Sequence, residues 1–277
     1  MTDAVFDPVE TLRQLGQSGE GPYDIAPAGL TLAALDHPGL PVDPYEAHLK
    51  EIAQSAKKEI RSIHHVEDAA RALSALMAGR FGYDGDRLTY ESPKNADMIA
   101  VIDRRRGLPV TLGILYIHAA RAAGLEACGV GSPGHFLLRI ARESSKALID
   151  PFNGGTVITH ERLGKPPLMG VANPDDLLQV TEPVSDADVL LRLQNNLKQR
   201  ALSAGDLSRA LEISKRTVLI GPRKPELWLD LARLNESAGS LGAASRAYEA
   251  CLTLLKPGST LHNEAALGLL GLKRRLH

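Results

Sequence analysis

Gly134-His135-Phe136-Leu137-Leu138-Arg139 and, shortly after it, Leu148-Ile149-Asp150-Pro151-Phe152 are the stretches on which the fold turns. Each is a short apolar run carrying one chemically capable side chain, His135 in the first and Asp150 in the second. The polar segment 142–146 between them has the composition of a turn, so the two runs read as antiparallel strands. That pairing sets an imidazole beside a carboxylate able to fix its tautomer. Just upstream, Pro109 opens a helix that runs to Ala123 and is closed by Gly124. A helix tip opposite a histidine and an aspartate on neighbouring strands is the layout of an acyl-transfer site. This helix tip holds no cysteine.

Upstream of that helix the chain reads as helical. Residues 1–28 are rich in Gly, Pro and Asp and read as a loose lead-in with one short helix near 9–15. Further helices are expected over 30–35, 43–63, 66–78 and 98–105. Over 43–63, Tyr45, Leu49, Ile52, Ala56 and Ile60 keep helical spacing. Turn-rich connectors, Phe81-Gly82-Tyr83-Asp84-Gly85 and Glu91-Ser92-Pro93-Lys94-Asn95, lie between them. Downstream, 127–130, 136–141, 147–150 and 156–159 have strand character. The expected fold is therefore α+β, helices packed on a small antiparallel sheet. An acidic stretch with two prolines, 173–185, is the expected junction.

From Asp188 the pattern is helical and repeats. Leu197, Gly205, Leu207 and Ala210 recur thirty-four positions later as Leu231, Gly239, Leu241 and Ala244. Trp228, Leu231, Ala232, Ala244, Tyr248 and Pro257 stand where a tetratricopeptide repeat wants them. The preceding repeat has Gln194 in the tryptophan place. Leu261–Leu276 is the expected capping helix. The domains expected are 1–180 for the sheet-containing core and 186–277 for about two repeats with their cap.

Composition excludes several functions. The 277 residues carry 32 Lys plus Arg against 33 Asp plus Glu, a formal net charge of −1. There is no overall field to draw the chain onto nucleic acid or an anionic membrane. The acidic N-terminus is unlike a secretory signal, and no apolar stretch approaches the length of a bilayer span. Two cysteines, Cys128 and Cys251, lie far apart without metal-ligand spacing. The expectation is a cytoplasmic protein with no metal and no cofactor.

Four blocks together resemble the bacterial SirB-type transglutaminase-like family. They are Arg104-Arg105-Arg106-Gly107-Leu108-Pro109-Val110-Thr111-Leu112, the Ala-Arg-Ala-Ala-Gly-Leu that ends the helix, Pro-Gly-His-Phe-Leu-Leu-Arg, and Asp-Pro-Phe-Asn-Gly-Gly. The likeness covers roughly residues 30–270, and the family pairs such a core with tetratricopeptide repeats. It implies a transglutaminase- or papain-like core, with His135 as base and Asp150 as its orienter. Counting back from Gly124, the cysteine's place in the active enzymes falls at 109–111, which leaves Thr111. Within the same blocks Arg106, Gly134 and Asn153 are the binding candidates.

A threonine hydroxyl is far harder to deprotonate than a thiol, and Thr111 has an easier role capping backbone N–H groups. The expected function is accordingly non-enzymatic. A degenerate Cys-His-Asp site, without its cysteine, would bind protein or peptide partners in its cleft, and the repeats would supply a second surface near Asn195, Lys198, Gln199 and Arg233. The competing expectation is a hydrolase or acyltransferase working through Thr111, His135 and Asp150. Among the remaining residues, Arg104–Arg106 reads as a solvated or salt-bridged face and Cys128 as a small buried hydrophobe. Asn95 and Asp97 read as helix caps, and His160 as a cap or surface residue. His64-His65, pointing apart, make no metal pair.

Overall fold

The computed structural model of the chain describes residues 7–132, 135–158 and 183–276, with the backbone alone for residues 131, 132, 135 and 276. Packing divides the chain into two units, Glu20–Leu190 and Leu191–His277, the second joined by the residues up to Gly19.

From Asp7 onward the lead-in is more ordered than its composition suggests. Helix α1, Pro8–Ser18, starts with Pro8 in its first turn and is capped by the Asp7 carboxylate, which accepts from the Val9 and Glu10 amides. It packs in the helical unit, and its Gly16 lies directly against the backbone at Leu219 and Ile220. A short cap and one close contact thus order a segment that looked loose. Helix α2, Ile25–Ala34, starts five residues before the expected position. Nine of its ten residues are buried, so it has no polar face and no helical period to read.

In the sheet-containing unit, α3 (Asp43–Ile60) buries Leu49, Ile52, Ala56 and Ile60 on one face. Helix α4, Val66–Ser74, widens at once into a π-type turn over Ala75–Arg80. After the two-residue strand β1 (Asp84–Gly85) comes α5, Met98–Arg104, capped by Asp97 through the Ala100 amide and ended by Arg105 in the left-handed region at φ 56°. Strand β2, Arg106–Gly107, runs parallel to β1. It leads into α6, Pro109–Ala122, whose residues are buried from Val110 to Ile117 without a break. A helix buried on all sides is the centre of its domain.

The sheet is antiparallel and contains β3 (Glu126–Ser132), β4 (His135–Arg142), β5 (Ser145–Asp150), β6 (Thr156–Ile158) and β7 (Pro183–Val184), in the order β6-β5-β4-β3-β7. Pairing of Arg142 with Ser145 closes the β4–β5 hairpin through a two-residue turn, with Glu143 at φ 56°. Phe136 locks α6 onto this sheet. Its ring occupies the space a Cβ would need at Gly113 on the helix and at Gly129 on β3. The α+β reading holds. The expected 173–185 junction falls largely outside the described residues.

The helical unit continues from Leu191, within α7 (Asp186–Ser203), through α8 (Leu207–Ile220), α9 (Pro225–Ser237), α10 (Leu241–Thr253) and α11 (Thr260–Leu276). The thirty-four-residue recurrence is structural. Gly205 and Gly239 both turn the chain at φ 73°, and the next amide returns to the preceding helix in both cases, Asp206 to Ala201 and Ser240 to Asn235. Leu229, Ala232, Ala244, Tyr248, Cys251, Ala265 and Leu272 form one core across the last three helices. Trp228 is partly buried and donates its indole N–H to the Pro222 carbonyl at 2.8 Å. Gln194, in the tryptophan place of the earlier repeat, is buried with its amide oxygen unpaired. Among the described residues no helix is long and apolar enough to cross a membrane.

Candidate functional site

Pro109 opens α6 and leaves one fewer amide to satisfy there. The carbonyl of Asn95 closes the rest of this tip. It accepts from the Leu108 amide at 2.9 Å and from the Thr111 hydroxyl at 2.8 Å. Thr111 is fully buried. Its hydroxyl therefore donates to a carbonyl from a neighbouring segment and does not cap the amides of its own helix tip, the role its position in the first turn predicts.

Asn95 is itself buried and caps no helix. Its side-chain amide donates to the carbonyls of Thr89 (2.6 Å) and Tyr90, and its side-chain oxygen accepts from Arg104 at 3.0 Å. Arg104 continues to Asp86 at 2.6 Å. Asp86 also accepts from the amides of Leu88 and Thr89 and from the Thr89 hydroxyl. Those bonds, that of the Thr89 hydroxyl foremost, hold the Asp86 carboxyl well below the usual carboxylate range, although burial opposes them.

Asp150 ends β5 and is 3% exposed. One carboxylate oxygen accepts from the amides of Phe152 and Asn153, and the other from the Asn153 side chain at 2.7 Å. These bonds fold Pro151–Asn153 into a single 3-10 turn. Arg87 clasps that turn. It donates to the Phe152 carbonyl at 3.0 Å and to the Asn153 side-chain oxygen at 2.8 Å, and its guanidinium lies 5.2 Å from the Phe152 ring centre. Tyr90 meets the same ring edge-on at 5.7 Å. Asp84 accepts from the Gly154 amide at 3.0 Å. The loop from Asp84 to Tyr90 thus braces both the Asp150 turn and, through Asn95, the α6 tip.

His135 opens β4 and Asp150 closes the antiparallel neighbour β5, so the two positions share one end of that hairpin. The side chain of His135, and Gly134 and His160 altogether, lie outside the described residues. Arg106 is exposed and donates to the carbonyls of Gly82 and Arg105, both at 2.9 Å. It is the register partner of Asp84, one strand from the residue that holds Gly154. The hydroxyl of Thr111 bonds Asn95, whereas Asn153 bonds Asp150 directly.

The arginine triplet is no common face. Arg104 serves Asp86, Arg105 donates to His48 at 2.6 Å and to the Tyr83 hydroxyl, and Arg106 alone points to solvent. Cys128 is partly exposed, and burial pushes its thiol up in spite of nearby Arg139. His64 and His65 line a cavity of 730 Å³ with Arg71, Arg142 and Lys146. It opens at the turn end of the β4–β5 hairpin, away from the end that carries His135 and Asp150.

Several residues of this arrangement escaped the sequence reading. Asp86 with Thr89 three residues on is a recognisable side-chain turn, but nothing local ties Arg87 to Asn153 or Asn95 to Thr111. Tyr116, on α6, is fully buried with its hydroxyl unpaired. Burial, then the charges of Asp84 and Asp150, raise its phenol above the ordinary value. On the repeats, Asn195, Gln199 and Arg233 are exposed. Lys198 is not, because it is buried on a 2.7 Å ion pair with Asp230. Arg233 pairs with Glu264.

Residues 43–195, which contain the helix tip, the hairpin and the bracing loop, match the model of the transglutaminase-like superfamily. The chain belongs to that superfamily. Residues 197–266 match a tetratricopeptide repeat model. A UPF0162 protein of Xylella fastidiosa is 29% identical over 226 residues, 78% of this chain and 80% of the relative. One from Vibrio cholerae is 33% identical over 118 residues, 41% of this chain and 43% of the relative. Protein SirB1 of Salmonella typhimurium is 25% identical over 183 residues, 64% of this chain and 66% of the relative. A transglutaminase-like core followed by tetratricopeptide repeats, with relatives of these names, is the SirB-type arrangement.

Proposed function

We propose that this chain is a non-catalytic transglutaminase-like adaptor, in which the cleft between the α6 tip and the Asp150 turn binds a peptide, acyl or amide group without turning it over. The observation that carries this reading is the state of Thr111. A hydroxyl nucleophile needs its proton within reach of a base and its oxygen open to a carbonyl carbon. Thr111 is fully buried and gives its proton to the Asn95 carbonyl. The Asp150 turn is kept rigid by its own amides, Asn153 and Arg87, which suits a fixed recognition surface. On this reading His135, Asp150 and Thr111 are the remains of a triad, and Arg106, Gly134 and Asn153 line the binding cleft.

Residues 1–180 are taken as the cleft module and 186–277 as the repeat module. Tetratricopeptide repeats generally mediate protein–protein contact, and here exposed Asn195, Gln199 and Arg233 would meet the partner. The reading makes the role regulatory and places it in the cytoplasm, where Cys128 and Cys251 would stay as the free thiols observed.

Hydrolysis of an activated acyl ester and amine incorporation into a glutamine peptide, run on wild type beside Thr111→Ala, test the reading. Equal rates at the uncatalysed level are expected. A wild-type rate that falls in Thr111→Ala would overturn it in favour of a threonine hydrolase or acyltransferase.

A further inference from the structure

The face of α11 turned away from the repeat core exposes two leucines among polar residues. Leu267 is 69% exposed and Leu270 47%. Beside them Gly271 has no atom within 4 Å of where a Cβ would stand. With Asn263 and Arg274, also exposed, these residues recur at helical spacing and make one stripe. The opposite side of α11 is already committed to the repeat core. Ala265 and Leu272 are fully buried there, and Gly268 lies against the Tyr248 ring.

We propose that this stripe is the contact surface for a second copy of the chain, two α11 helices packing antiparallel about a two-fold axis at the level of Leu269. The choice of occupant follows from the stripe's complementarity to itself. A two-fold axis at that level sets Leu267 of each helix opposite Gly271 of the other, and Glu264 opposite Arg274, in both directions. The first pairing lays a leucine into a notch left by a missing side chain. The second sets a guanidinium against a carboxylate that already accepts from Arg233 of its own chain. An isologous contact requires each residue to find its counterpart twice, and this stripe supplies both counterparts within one helix. A single 17-residue helix per partner is a small interface, which puts the dimer in a concentration-dependent range.

Sedimentation equilibrium on the full chain across about 1–300 μM tests the proposal. A monomer–dimer equilibrium with no larger species is expected. Leu267→Glu and, separately, Gly271→Leu should each weaken the dimer at least about tenfold, and Arg274→Glu should weaken it to a lesser degree. All three positions are exposed, so far-ultraviolet circular dichroism and the melting temperature should stay at wild-type values. A wild-type chain that is monomeric throughout the range would overturn the proposal. So would a dimer indifferent to Leu267→Glu, or a mass that grows past two copies with concentration.

Discussion

The hydroxyl of Thr111 donates to the carbonyl oxygen of Asn95 across 2.8 Å, with both residues fully buried. This bond is central to the proposed reading, because it commits the hydroxyl proton of Thr111, the residue in the nucleophile's place, to a backbone carbonyl. It also ties the tip of α6 to Asn95, whose side chain accepts from Arg104, which in turn donates to Asp86. Thr111→Val keeps the shape and removes the donor, while the Leu108 amide still satisfies the Asn95 oxygen. Urea unfolding should show a loss of about 1 kcal/mol, and any partner bound by wild type should still be bound.

Gly113 and Phe136 are a second dependent pair. A Cβ at position 113 would come within 2.2 Å of the Phe136 ring edge. Gly113→Ala should therefore cost about 1–3 kcal/mol by overpacking, more than the roughly 1 kcal/mol alanine returns in helix propensity. Combining it with Phe136→Leu should recover part of the loss, a coupling of at least about 0.5 kcal/mol in a double-mutant cycle. Additive losses would show that the ring does not seat on that glycine.

Arg87 connects the bracing loop to Asn153, and through it to Asp150. Arg87→Met keeps most of the stem over Phe152 and removes the bonds to the Phe152 carbonyl and the Asn153 side chain. Amide hydrogen exchange at Asn153 and Gly154 should speed up, with a global loss near 1 kcal/mol. Unchanged exchange at those two amides would mean that Asp150 alone holds the turn.

His48 gives the fold a pH dependence. Its Nε2 accepts from Arg105 at 2.6 Å and lies 2.9 Å from the Tyr83 hydroxyl, while Nδ1 is 3.6 Å from Glu51. Burial first, then the Arg105 charge, lower its pKa. The folded protein therefore resists a proton that the unfolded chain takes up near pH 6.5. Stability from this group is full above about pH 6.5 and is lost as the pH falls toward the lowered folded value. Urea midpoints measured between about pH 7.5 and pH 5 should decline on the acid side in wild type and less steeply in His48→Gln.

Much of this was legible in the residues. The polar 142–146 segment between two apolar runs announced the hairpin, Pro109 and Gly124 bounded α6, and the thirty-four-residue recurrence announced the repeats. Those signals are local, or local and repeated. What escaped depends on contacts distant in sequence. Asn95 looked like a cap because it precedes a helix, but Arg104 and the carbonyls of Thr89 and Tyr90 claim its side chain. Lys198 looked like surface until Asp230 gave it a buried partner. The π-type turn at Ala75–Arg80 runs through Gly79, so a glycine that reads as a helix stop after residue 78 lies inside a continuing helical segment.

Alkylation of a Thr111→Cys variant tests the central claim most directly, followed at that residue by mass spectrometry with iodoacetamide across pH. Leu88→Cys is the comparator, since Leu88 is 97% exposed. A thiol seated in a closed helix tip should react more slowly than the comparator, and His135→Ala should not change its rate. Labelling faster than the comparator well below pH 8.5, the ordinary thiol range, and abolished by His135→Ala would contradict the account and reveal a base still poised for catalysis.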